Sequence, residues 1–185
     1  MFIVITEGNG LPTHELKRMN DVINMVDFFI IREQFTNALI QSLSSFPKDK
    51  LIIHSNRDAA QALNVDRLHL KDRPIDASLT RDFILSQSIH DINGIHRAHK
   101  AGCQFVLYSP IFITSSKPDV TPKGINGLKD IMDQSPLDVV SLGGVNLNTI
   151  KQLKGISHHI AVKSFIFNAT LKEVELLLSL IHISE

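Results

Sequence analysis

Short runs of Ile, Val, Leu and Phe recur about eight times along this chain, at residues 2–6, 28–32, 51–54, 67–70, 83–87, 104–108, 138–142 and 159–164, with helix-patterned stretches between them. The runs lack strict polar–apolar alternation, which is the pattern of parallel strands covered on both faces. Strand then helix, repeated at roughly the 20–30 residues of a βα unit, predicts a parallel sheet closed into a barrel. The expected fold is α/β: a single (β/α)8 TIM barrel with short loops, one domain over residues 1–185. Typical barrels run to ~250 residues, so a doubly wound open sheet using fewer of these strands is the structural alternative.

The intervening stretches carry helix signals. Thr170 with Glu173 makes a capping box ahead of Leu171, Val174, Leu178 and Ile181, which repeat at helical spacing. Asp91 can cap a helix with the apolar stripe Ile92, Ile95 and Ala98, ending at Gly102. Asn146 or Asn148 can cap another that stops at Gly155. Segments 11–24, 36–46 and 127–134 also read as helices, 57–63 as two turns at best, and 72–81 as the connection whose form the residues define least.

Charge removes whole classes of partner. Lys plus Arg equals Asp plus Glu at 19 each, and no basic run occurs, so neither nucleic acid nor an acidic membrane surface is an expected partner. No segment approaches the ~18 apolar residues of a membrane span, and the N-terminal apolar run is too short for a signal peptide. A lone cysteine, Cys103, fits a reducing compartment. The expectation is a soluble, cytoplasmic protein.

In a parallel barrel, function gathers where strands end, with phosphate commonly held after strands seven and eight. Three such places have suitable chemistry. Gly143 and Gly144 follow strand seven, allowing close approach of a ligand to the backbone and opening a predicted helix whose amides would face an anion. The alternative for the pair is a tight turn that binds nothing. Lys163 and Ser164 end strand eight and offer a charge and a hydroxyl, unless Lys163 points outward over a helix. The loop after strand six carries Thr114, Ser115, Ser116 and Lys117, all donors, although such residues are also common in solvated loops. Among nine histidines, His54, His69 and His90 lie at strand ends; three imidazoles there could ligate zinc, but none shows metal-motif spacing. His54 and His90 are the candidate general acids or bases.

Residues 106–114 (VLYSPIFIT), with Ser116-Lys117 and Gly124-Ile125-Asn126-Gly127-Leu128, resemble the strand-six segment of the thiamine phosphate synthase and TenI superfamily. Ile31-Arg32-Glu33, Leu68-His69-Leu70, Ser88 with His90, Leu142-Gly143-Gly144-Val145 and residues 160–164 continue the resemblance in the same order, so it covers nearly the whole chain. It implies a barrel acting in thiamine biosynthesis. In the synthase branch an aminopyrimidine diphosphate loses diphosphate with help from Mg²⁺, and a thiazole phosphate captures the carbocation. In the TenI branch a thiazole tautomerase shifts a proton without a metal.

Carried over position by position, Thr114, Ser115, Ser116, Gly144, Lys163 and Ser164 correspond to the grip on the thiazole phosphate, and Arg32, Ser88 and Lys117 to part of the pyrimidine-diphosphate site. The departures are specific. Gln34 stands for a lysine, His54-Ser55 for an Asn-Asp pair, and Arg73 or Pro74 for an acidic residue after strand four. Those losses remove the carboxylates that Mg²⁺ needs. Pro110 stands where the TenI branch has a histidine.

The reading placed first is therefore a TenI-like protein that binds a thiazole phosphate and acts as a metal-independent thiazole tautomerase (an isomerase), with His54 or His90 as substitute proton carrier and no cofactor. The alternatives are a divergent, Mg²⁺-dependent thiamine phosphate synthase (a transferase) and a non-catalytic phosphate-binding or regulatory barrel. The expected partner is a small phosphorylated thiazole or pyrimidine. Barrels of this kind often pair, so a homodimer is a further alternative.

Overall fold

The computed structural model describes residues 1–116 and 118–182. Eight strands run in the order β1 (Phe2–Ile5), β2 (Phe28–Ile31), β3 (Leu51–His54), β4 (Arg67–Leu70), β5 (Ile84–Ile89), β6 (Phe105–Tyr108), β7 (Asp138–Leu142) and β8 (Ile160–Val162). Each pairs in parallel with the next, and β8 returns to β1 with Ile3 opposite Ala161, closing the barrel. The open-sheet alternative falls, because closure leaves no strand with an unpaired edge.

The missing alternation now has its cause. Ile3, Ile5, Ile30, Ile52, Phe105, Leu107, Val140 and Ala161 fill the barrel interior. Their sequence neighbours Val4, Phe29, Ile31, Ile53, Val106, Val139 and Ile160 belong to the larger core between sheet and helices. Both faces of the strands leave water, so most are apolar on both, while β4 and β5 place the polar His69 and Ser86 inside.

The helices are α1 (Thr13–Val22), α2 (Asn37–Leu43), α3 (Arg57–Leu63), α4 (Leu79–Asp82), α5 (Ile92–Lys100), α6 (Gly124–Gln134), α7 (Ser164–Asn168) and α8 (Leu171–His182). Two expected caps are present. Asp91 Oδ1 accepts from the Gly94 amide at 2.9 Å. The Thr170 amide donates to Glu173 Oε2 at 2.7 Å, and the Glu173 amide donates to Thr170 Oγ1 at 3.2 Å. The apolar stripe of α8 is shifted from expectation: Val174, Leu177 and Ile181 are buried, whereas Leu171 is 40% exposed.

Four boundaries need correction. The connection 72–81, whose form the residues define least, carries a single helical turn, α4, that runs on to Asp82. Strand β5 continues two residues past Gln87, because Ser88 and Ile89 pair with Leu107 and Tyr108. The helix expected between Asn146 and Gly155 is only a 3-10 turn, Ile150–Leu153. Asn146 Oδ1 accepts from the amides of Asn148 and Thr149, and Thr149 Oγ1 donates to the Gly144 carbonyl at 2.8 Å; this local bonding competes with helix formation. The last run does not extend to 164, since Ser164 already begins α7. Among the described residues, no helix is long and apolar enough to cross a membrane.

Candidate active site

Strand periodicity alone assembles the mouth of the barrel. Side chains two residues apart share a face, so the interior positions Ile30, Ile52, His69, Ser86, Leu107, Val140 and Ala161 continue outward as Arg32, His54, Lys71, Ser88, Ser109, Leu142 and Lys163. All of these outer residues line one cavity of about 860 Å³. His90, Thr114, Ser115, Ser116, Gly144 and Ser164 line it as well. Every candidate residue therefore meets in a single space, except Lys117, which lies outside the described residues. Asn146, read as a helix cap after strand seven, lines it too, and Lys71, Asp72 and Asn168 also line it and were missed by sequence reasoning.

One end of the cavity is built by the loops after β6, β7 and β8. Here the paired glycines have a packing role before any ligand is considered. The amides of Ile111 and Phe112 donate to the carbonyls of Leu142 and Gly143 at 2.9 and 3.0 Å, drawing the β6 loop against the β7 loop. Gly144 has φ +69°, and a Cβ there would collide with the Ile113 carbonyl. Gly143 has φ +102°, and its Cβ would sit 2.7 Å from Pro110 Cα. Two donors hold the Gly144 carbonyl, Asn146 Nδ2 at 3.1 Å and Thr149 Oγ1 at 2.8 Å, fixing its peptide at the rim. Lys163 does not point outward over a helix. It lines the cavity and its Nζ lies 3.1 Å from Glu7 Oε2, so its charge is already partnered. The short α7 then carries Ser164 to the same rim.

The opposite end belongs to β2, β3, β4 and β5. His54 is paired in register with His69, and their rings lie 5.9 Å apart. Burial pushes the His54 imidazole down to about 4, with Arg32 and Lys71 adding to the effect. His69, 2% exposed, is pushed to about 3 by burial and by His54. Both rings are neutral near pH 7. His69 Nδ1 and Nε2 each lie 2.9 Å from a hydroxyl, of Ser86 and Ser88 respectively. In the tautomer carrying its proton on Nε2, His69 donates to Ser88 Oγ and leaves the Ser88 proton free to meet an anion. His90 Nδ1 lies 3.1 Å from the Ser109 carbonyl. A carbonyl only accepts, so Nδ1 carries a proton, and in the neutral ring the lone pair is then on Nε2.

The Mg²⁺ that the resemblance implies does not fit these residues. Magnesium takes oxygen ligands in near-octahedral array, usually carboxylates with substrate phosphates. The carboxylates near the mouth are engaged elsewhere: Asp72 with Arg97 at 2.5 Å, Glu7 with Lys163, and Glu173 with the Thr170 amide and hydroxyl. At the ends of β3 and β4, where the resemblance implies the metal's carboxylates, the cavity presents His54 and Lys71 instead. Among the described residues, no three His, Cys, Asp or Glu side chains are grouped to hold a metal, which also removes the three-histidine zinc option.

A closed parallel barrel whose mouth gathers hydroxyls and cationic side chains in one cavity defines a class, the (β/α)8 barrels with a polar site at the C-terminal strand ends. Comparison with known proteins narrows it. The chain matches the thiamine monophosphate synthase profile (TMP-TENI) over residues 34–166, and it belongs to that family. A thiamine-phosphate synthase of Clostridium tetani is 31% identical over 166 residues, covering 82% of this chain and 79% of that protein. An Aquifex aeolicus relative is 32% identical over 116 residues, and the match spans 62% of that protein's length. Among solved structures, thiamine phosphate pyrophosphorylase from Pyrococcus furiosus superposes with a TM-score of 0.76 at 20% identity, covering 99% of this chain and 96% of the other. KGPDC from Streptococcus mutans reaches 0.77 at 13% identity, covering 98% and 97%, a likeness of fold alone.

Proposed function

We propose that this barrel is a transferase of the thiamine-phosphate synthase type, joining a pyrimidine diphosphate to a thiazole phosphate and acting as one domain in the cytoplasm. The observation that carries the proposal is a single cavity with anion-suited groups at two separate ends. Thr114, Ser115, Ser116, Gly144 and Ser164 would hold the thiazole phosphate, while Lys163 shares its charge with Glu7. Arg32 and Ser88, with Lys117 as an expected addition, would hold the diphosphate. The names of the relatives favour this transferase over the isomerase expected first.

The chemistry suits the residues present. The C–O bond between the pyrimidine methylene and the diphosphate breaks, and the oxygen keeps the electron pair. The thiazole nitrogen then donates its lone pair to the carbocation, forming the C–N bond of a thiazolium. No proton need move in either step, so Pro110 at the mouth is no obstacle. What the protein supplies is proximity of two ligands and positive charge beside the leaving group.

Incubating the protein with both substrates, with and without Mg²⁺, and following thiamine phosphate by chromatography tests this. The expected result is thiamine phosphate and diphosphate in equal amounts. Absence of product in both arms would remove the transferase. Ser164→Ala is expected to weaken thiazole phosphate binding about tenfold or more, the effect of one hydrogen bond to a charged group, as read by calorimetry.

One observation favours the tautomerase as a second reading: His90 lines the cavity with its Nδ1 held by the Ser109 carbonyl, which leaves Nε2 as the ring nitrogen for proton transfer. His54 is a weak base, since its pKa of about 4 lies far below operating pH. Faster aromatisation of the thiazole carboxylate phosphate, abolished by His90→Gln, would support this reading.

A further inference from the structure

Resting on the two-ended reading above, we infer that the Arg32–His54–Lys71 end of the cavity binds a diphosphate group without a divalent cation, Lys71 and Arg32 supplying the positive charge. The placement follows from strand geometry. On β4, Arg67, His69 and the residue two beyond it share the interior face. Arg67 lies at the far end, its guanidinium 5.0 Å over the Phe28 ring, and His69 is buried at mid-barrel. Lys71 therefore emerges at the rim and lines the cavity. On β2, Phe28 and Ile30 lead in the same way to Arg32. The strand between them, β3, ends in His54, whose ring feels both cations.

Neither cation is neutralised. Among the described residues, Arg32 and Lys71 form no ion pair with a carboxylate, whereas Asp72, the adjacent acid, is turned to Arg97 and its side chain is only 14% exposed. Two uncompensated positive charges in one concave site repel each other and a metal alike, and that repulsion is relieved when a multiply charged anion enters. A neutral His54 between them can donate one ring N–H to the same anion at no cost in added charge. Ser88, oriented by His69, faces the same space. Guanidinium, ammonium and imidazole N–H are donors suited to phosphoryl oxygens and offer Mg²⁺ no oxygen, and the Ser88 hydroxyl adds a further donor.

Calorimetric titration with inorganic pyrophosphate, in EDTA and in excess Mg²⁺, tests the inference. The wild type is expected to bind in EDTA, and Mg²⁺ is expected to weaken binding by lowering the charge of the pyrophosphate. Lys71→Ala should lose about ten- to a hundredfold in affinity, the range for a hydrogen bond to a charged group, and Lys71→Arg should retain most of it. Ser164→Ala, at the other end, should stay within about twofold of wild type. Binding seen only with Mg²⁺, or an unchanged Lys71→Ala, overturns the inference, as does a loss confined to Ser164→Ala. Turnover is a separate readout. Metal-free pyrophosphate binding without turnover upholds the inference and removes the transferase, whereas turnover accompanied by pyrophosphate binding seen only with Mg²⁺ does the reverse.

Discussion

At the scale of single residues, Gly144 and His69 make the sharpest demands. A Cβ on Gly144 would meet the Ile113 backbone, and φ +69° is strained for any L side chain. Gly144→Ala should cost about 2 kcal/mol or more in denaturant unfolding and displace the β6 loop; an unchanged midpoint would contradict the close approach of the two loops. His69 has a folded-state pKa of about 3 against an ordinary value of 6.5. Between those values the unfolded chain binds the extra proton, so stability is complete above about pH 6.5 and declines as pH falls toward about 3. His54, at about 4, acts in the same direction. The urea midpoint should accordingly fall between pH 7.5 and pH 5, and His69→Gln should flatten that dependence. Sequence reasoning found the glycine pair but offered it as a ligand contact or an isolated turn, because the Ile113 carbonyl it accommodates comes from another loop. It passed over Lys71, since a lysine after a strand reads as solvated; carrying the two-residue period outward from His69 would have found it.

At the scale of elements, caps and turns decide how the mouth is framed. Asn56 Oδ1 accepts from the Ala59 amide at 2.9 Å and opens α3 directly after His54 and Ser55. Asn56→Ala should cost about 1 kcal/mol, seen as a fall in Tm of about 2–4 °C for a chain this long. Strands β3, β4 and β7 and helix α3 were legible to the residue: β3 and β7 from short Ile and Val runs bounded by turn residues, and β4 and α3 from the spacing of their apolar positions between Asn and Asp residues. The loop after β7 was not. Asn146 looked like a helix cap, and its side chain does bond to amides ahead of it, but in a turn that leads only into Ile150–Leu153. Helix α7 escaped notice because five residues, Ser164–Asn168, are too few to show a helical period.

For the whole molecule, barrel closure converts eight scattered strand ends into one mouth. The order of the strands was readable from the repeat of strand and helix, and with it the convergence of candidates that lie more than 100 residues apart, such as Arg32 and Ser164. What the repeat could not supply is which partners each charge keeps. Lys163 is inward but held by Glu7, while Arg32 and Lys71 face the cavity without a carboxylate among the described residues. Glu7→Gln should therefore release Lys163 and tighten inorganic phosphate binding by roughly threefold or more, as expected from one freed charge near a partly exposed site; weaker binding would show that the pair itself shapes the site. The account stands on one phosphate being gripped where β6, β7 and β8 end. Amide chemical shifts followed by NMR during titration with the thiazole phosphate examine that directly. The account predicts the largest saturable shifts at residues 114–116, 144 and 164. Shifts confined to the opposite end of the barrel, around Met1 and His159, or none at saturating ligand, would contradict it.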